Sequence, residues 1–129
     1  MSDFDRELVR EILHQIYGAT ATILKRFQSI DTADDFLNSD DGLLRLDGIC
    51  MQLIAIGESI KNLDKVTSGT LLPSYPQVEW KRVMGMRDII SHHYFDMDAE
   101  VVFTVCDRHM TQLQSTIQTM LDDPDVDKR

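Results

Sequence analysis

Apolar residues recur along this chain at intervals of three and four, and nowhere alternate over any length, so the pattern predicts helices rather than strands. A first helix from Asp3 to about Gln28 carries Phe4, Leu8, Ile12, Ile16, Ile23 and Phe27 on one stripe. Ser2 or Asp3 can cap its start, with Asp5 and Glu7 in the first turn, where the helix dipole favours them. A short helix over Asp31–Leu37 follows, tucking Phe36 and Leu37 inward. Ser39-Asp40-Asp41 opens a second long helix with Leu43, Leu46, Ile49, Cys50, Leu53, Ile56, Ile60 and Leu63 as its stripe. Gly48 and Gly57 would each weaken an isolated helix by about 1 kcal/mol relative to Ala, so their presence there predicts close helix contact.

Ser68-Gly69, Pro73 and Pro76 make Val66–Gln77 irregular, either a plain connection or the border of a cleft. Helix resumes around Val78, with Trp80, Val83, Met84 and Ile90 facing inward. Beyond a turn at Phe95–Asp98, Asp98 caps a last helix striped by Val102, Val105, Cys106, His109, Leu113, Ile117 and Met120. The pattern therefore predicts an all-α fold, an antiparallel four-helix bundle with one extra short helix, as a single domain over residues 1–121. Residues 122–129 read as a frayed acidic tail.

Composition narrows the chemistry. Apolar and charged shares of 43% and 27% over 129 residues fit a globular domain with one core. No apolar run approaches the ~20 residues of a bilayer crossing, and the N-terminus lacks the basic-then-apolar order of a signal peptide, so a cytoplasmic location is expected. The net charge of −9 argues against a long nucleic-acid track. The acidic cluster Asp31, Asp34 and Asp35 lacks the glycine and terminal glutamate of a calcium loop and reads as a solvated helix start. Cys50, Cys106, His14 and His109 sit among or beside apolar stripes and read as packed residues.

One window is different. Arg87-Asp88-Ile89-Ile90-Ser91-His92-His93-Tyr94 gathers a fixed cation, two imidazoles and a phenol. Arginine presents a planar fork that fits phosphate, and histidine exchanges a proton near neutrality. On one straight helix Arg87 and Tyr94 share a face while His92 lies about 140° round. Convergence then needs either a loosened helix near Ser91-His92 or a second copy of the chain. The plainer reading pairs Arg87 with Asp88 or Glu58. A metal reading would use Asp88, His92 and Asp96, at intervals of four, but lacks a further ligand type.

Arg87, His92 and Tyr94 fit R-x-x-x-x-H-x-Y. With the block Trp80–Asp88, the upstream Ile56-Gly57-Glu58-Ser59 and Phe95, the chain resembles the HepT-like branch of the HEPN superfamily over nearly its whole length. The resemblance implies a helical homodimer acting on RNA as a metal-independent ribonuclease, the toxin of a toxin-antitoxin pair. It implies no cofactor and makes Arg87 and His92 the catalytic pair; the residues around them, Asp88, His93 and Glu58, are expected in support. It also implies a partner nucleotidyltransferase antitoxin that transfers AMP to Tyr94. Relatives often carry Asn where this chain has Asp88, and an added negative charge there weakens the hold of Arg87 on phosphate. A dimeric binding module that docks the transferase with little nuclease activity is the alternative.

Overall fold

The computed structural model describes residues 5–93 and 98–127, with His92, His93, Asp125 and Asp127 described by their backbone only. Helix α1 spans Arg6–Phe27. The Asp5 carboxylate caps it, accepting from the amides of Glu7 at 3.0 Å and Leu8 at 3.1 Å. The cap is thus Asp5, not Ser2 or Asp3, because the helix starts three residues later than the periodicity suggests. The buried stripe is Val9, Ile12, Leu13, Ile16, Thr20 and Ile23. Leu8, expected inside, is exposed. Both 8→12 and 9→13 satisfy helical spacing, and only packing chooses between them.

A 3-10 turn at Ala33–Phe36 replaces the expected short α-helix. The Asp35 carboxylate accepts from the amides of Asp31 at 2.8 Å and Thr32 at 3.0 Å, and these bonds hold its pKa below the usual value. The acidic cluster is accordingly a helix-start device. Phe36 is fully buried near Phe27, whereas Leu37 is exposed. The turn sits directly on the start of α2 (Asp40–Val66), where a methyl on Gly42 would collide with the Asp35 carbonyl oxygen. Ser39 caps α2 by accepting from the Gly42 amide at 3.0 Å. The predicted α2 stripe is buried throughout except for Leu43, which is exposed.

The link after α2 is anchored rather than loose. Leu71, Leu72 and Tyr75 are buried, Leu72–Ser74 forms a 3-10 turn, and the Trp80 indole donates to the Tyr75 carbonyl at 2.9 Å. Trp80 is the expected core anchor. It opens α3, Trp80–His93. Helix α4 spans Ala99–Thr104 behind an Asp98 cap, whose carboxylate accepts from the Glu100 amide at 2.9 Å. The backbone then passes through a π turn, Val105–His109, into α5, Met110–Asp122.

That turn explains a second displaced stripe. A π turn inserts one residue into the helical repeat, so Cys106 is followed on the core side by Met110 and not by His109, which is exposed. The expected fraying from Asp122 does not describe residues 124–127. Pro124–Asp127 forms a short helix, α6, with Val126 buried, and the Tyr75 hydroxyl donates to the Asp123 carboxylate.

The result is an all-α bundle with no strand among the described residues. Helix α2 packs against both α1 and α3, and α5 closes against α1. The extensive packing of α3 is with α2 alone. An open apolar groove of about 960 Å³ separates it from α4, the π turn and α5, with Ile89, Val101 and Val105 among its walls. No helix among the described residues is long and apolar enough to cross a membrane.

Candidate functional site

Helix α3 is laid close on α2 at one glycine. A methyl on Gly57 would lie 3.1 Å from the Val83 carbonyl oxygen and 3.2 Å from the Arg87 Cβ. The missing side chain therefore lets the α3 backbone approach, and brings Arg87 beside the residue following the glycine. Arg87 Nε lies 2.8 Å from Glu58 Oε2, and Arg87 Nη1 donates to Asp88 Oδ1 at 3.0 Å. The expected contact at Gly57 is a helix contact. At Gly48 it is the Arg26 side chain instead, 3.0 Å from the position a methyl would take.

Both carboxylates proposed as partners of Arg87 are thus present together. A residue that sequence reasoning missed joins them: Lys61 Nζ lies 4.0 Å from Asp88 Oδ2. Its signal was available, since Glu58 and Lys61 are three apart on one helix and share a face. Two cations and two carboxylates balance locally. All four side chains are substantially exposed, Arg87 at 40% and Asp88 at 54%, so each pair is worth about 0–1 kcal/mol. Such pairs hold an arginine in place yet yield to a phosphate, which offers the guanidinium a bidentate partner.

Helical hydrogen bonding continues through His93, so no loosening at Ser91-His92 precedes the histidines. Five residues along α3 place the His92 backbone about 7.5 Å further on and about 140° round from Arg87. Tyr94 and Asp96 lie outside the described residues, as do the His92 and His93 side chains. No group of three or more potential metal-ligating side chains occurs among the described residues. Asp88 is engaged by Arg87 and Lys61.

Cys50 and Cys106 are free thiols in the core. Burial, aided by Asp47, pushes Cys50 up to about 11. Burial, aided by Cys50 and Asp107, pushes Cys106 up to about 12. Both are protonated and unreactive at neutral pH. His14 is exposed, 3.5 Å from Arg10, and converges with nothing at the α3 site.

The chain matches the family model "Ribonuclease HepT-like" over residues 5–120. It is 31% identical over 97 residues to a protein of Methanocaldococcus jannaschii named "Putative RNase", covering 75% of this chain and 74% of that one. It is 27% identical over 112 residues to a protein of Caldanaerobacter subterraneus also named "Putative RNase", covering 87% and 93%. A third relative, from M. jannaschii, is named "Gamma-glutamylcyclotransferase and putative RNase". It is 26% identical over 106 residues, which are 82% of this chain and 45% of that protein. No solved structure matches the chain significantly. The matched span runs from the cap of α1 to the end of the α5 core and includes the Gly57, Glu58 and Arg87 contact, so the chain belongs to the HepT-like ribonuclease family.

Proposed function

We propose that this protein is an endoribonuclease that cleaves RNA without a metal, using Arg87 and His92 brought together from two copies of the chain. The observation that carries this reading is the seating of Arg87. Its Cβ is fixed over Gly57 and its Nε held by Glu58, while Glu58 and Asp88 are its only partners among the described residues. A half-exposed guanidinium so placed is suited to a phosphodiester. His92 lies too far round α3 to meet it within one straight helix, which is why a second copy is invoked.

In the reaction, one His92 takes the proton of the ribose 2′-hydroxyl as that oxygen attacks phosphorus. The bond from phosphorus to the 5′-oxygen breaks, and the leaving oxygen accepts the proton that this same imidazolium now carries. Arg87 stabilises the charge on the pentacoordinate phosphorus. The products are a 2′,3′-cyclic phosphate and a 5′-hydroxyl. Arg87→Ala and His92→Ala each abolish RNA cleavage and growth inhibition with helical circular dichroism intact. Undiminished cleavage by either refutes the assignment.

Further parts of the reading rest on the family resemblance. The protein is the toxin of a toxin-antitoxin pair in the cytoplasm, and a nucleotidyltransferase antitoxin silences it by moving AMP to Tyr94, with His93 in support. Mass spectrometry after coexpression with that transferase then finds an added mass of about 329 Da on Tyr94, the AMP adduct of a covalent modification. An unmodified Tyr94 counts against this role. A second reading is favoured by one observation: Asp88 and Glu58 both occupy the guanidinium. On that reading the protein is a dimeric module that docks the transferase, and it binds the transferase while leaving RNA uncut.

A further inference from the structure

A second cluster of cations lies away from Arg87, at the end of α1. Lys25, Arg26 and Arg45 line a polar depression with Thr22, Gln28 and Ser29, and no carboxylate is among the lining residues. In a chain of net charge −9, Asp41 offsets the charge of Arg45, and Lys25 and Arg26 sit beside each other without a carboxylate among the lining residues. Of the three cations, Arg45 is the one with close acceptors. Arg45 Nη1 donates to the Arg26 carbonyl at 3.1 Å and its Nε to Asp41 at 2.8 Å. The Lys25 and Phe27 carbonyls accept from the amides of Gln28 and Ile30. Arg26 makes one long bond, 3.4 Å, to the Gly48 carbonyl.

Cations at a helix C-terminus favour its dipole, and Arg45 already supplies one, tied to the Arg26 carbonyl. Lys25 and Arg26 both line the depression. The two arginine fixtures are also related in space. Arg26 sits over Gly48 and Arg87 over Gly57. Nine residues of α2 separate these glycines by about 14 Å and half a turn, so the cluster flanks α2 on the side opposite Arg87.

We propose that Lys25, Arg26 and Arg45 form a second phosphate-binding site, one that holds the backbone of a single-stranded RNA a few nucleotides from the bond that is cut. The ligand chemistry is a phosphodiester, and the inference rests on the ribonuclease reading for the identity of the strand. A phosphate in the depression gives Lys25 and Arg26 the anionic partner that Asp41 already gives Arg45.

The test uses the Arg87→Ala protein, so that RNA is bound and not consumed, with and without Lys25→Gln and Arg26→Gln. Affinity for a mixed-sequence single-stranded RNA is measured against salt. Inorganic phosphate is titrated separately into 15N-labelled protein. The inference expects the double substitution to reduce the salt slope by about 1.4, some 0.7 per lost contact. It also expects phosphate to shift the amides of Thr22 to Ser29 only when Lys25 and Arg26 are present. An unchanged slope overturns the strand assignment; if phosphate still shifts those amides, the site belongs to a free phosphate. An unchanged slope with no shifts overturns the site altogether. Lys25→Gln alone, which removes no contact of the fold, gives half the effect and guards against misfolding. Failure of the ribonuclease reading is distinct: the wild-type protein then cuts no RNA, whatever the phosphate titration shows.

Discussion

Replacing Gly57 with Ala probes how closely the helix that carries Arg87 is laid on its neighbour. The new methyl would lie 3.1 Å from the Val83 carbonyl oxygen and 3.2 Å from the Arg87 Cβ, against the ~3.5–4.0 Å of relaxed contact between carbon atoms. Two effects oppose. Alanine gains about 1 kcal/mol of helix propensity over glycine, while forcing a methyl into packed surroundings costs roughly 1–3 kcal/mol. The obstructing oxygen is backbone and cannot rotate aside, so α3 itself has to shift by a few tenths of an ångström. Taking the middle of the packing range, the net loss is about 1 kcal/mol.

Gly18→Ala is the matched control, because no atom lies within 4 Å of its added methyl. It stabilises by about 1 kcal/mol, so the two variants differ by about 2 kcal/mol. Urea unfolding followed by helical circular dichroism reads that difference directly. The Gly57 variant also cleaves RNA more slowly, because Arg87 moves with its helix. Equal stabilisation by both substitutions refutes the close approach of α3.

Other outcomes follow from the same contacts. Asp88→Asn removes a negative charge 3.0 Å from Arg87 Nη1, and it raises RNA affinity severalfold in a filter-binding assay while changing stability by less than about 1 kcal/mol. Cys50 and Cys106, their thiols raised to about 11 and 12, resist alkylation at pH 8 in the folded protein and react after urea is added. The Asp35 pKa is depressed by the amides it accepts. Its contribution is therefore present above the unfolded value of about 3.9 and lost as pH falls through the lower folded value. Asp35→Asn accordingly reduces stability at pH 6, and its difference from the parent protein vanishes in strong acid.

The all-helical bundle was legible because its core is written at helical spacing: Ile49, Leu53, Ile56, Ile60 and Leu63 are all buried as the pattern implies. The pairing of Arg87 with Glu58 and Asp88 was legible from residue type and from Gly57. What escaped depended on phase. Periodicity alone does not separate Leu8 from Val9, and nothing local in Val105–His109 announces the π turn that leaves His109 exposed. The order of the connection at Leu71–Tyr75 and of the end at Val126 depends on contacts between residues far apart in sequence. The two charge clusters of α2, at Lys61 and at Arg45, likewise needed the neighbouring helices in place before their partners could be seen.

The central claim is that Arg87 of one copy works with His92 of another. The direct measurement mixes two inactive proteins, Arg87→Ala and His92→Ala, lets their subunits exchange, and assays RNA cleavage. The account predicts restored activity, because a mixed pair contains one site with an intact arginine and an intact histidine. Mixed dimers that form, as shown by mass spectrometry, and remain inactive would contradict it.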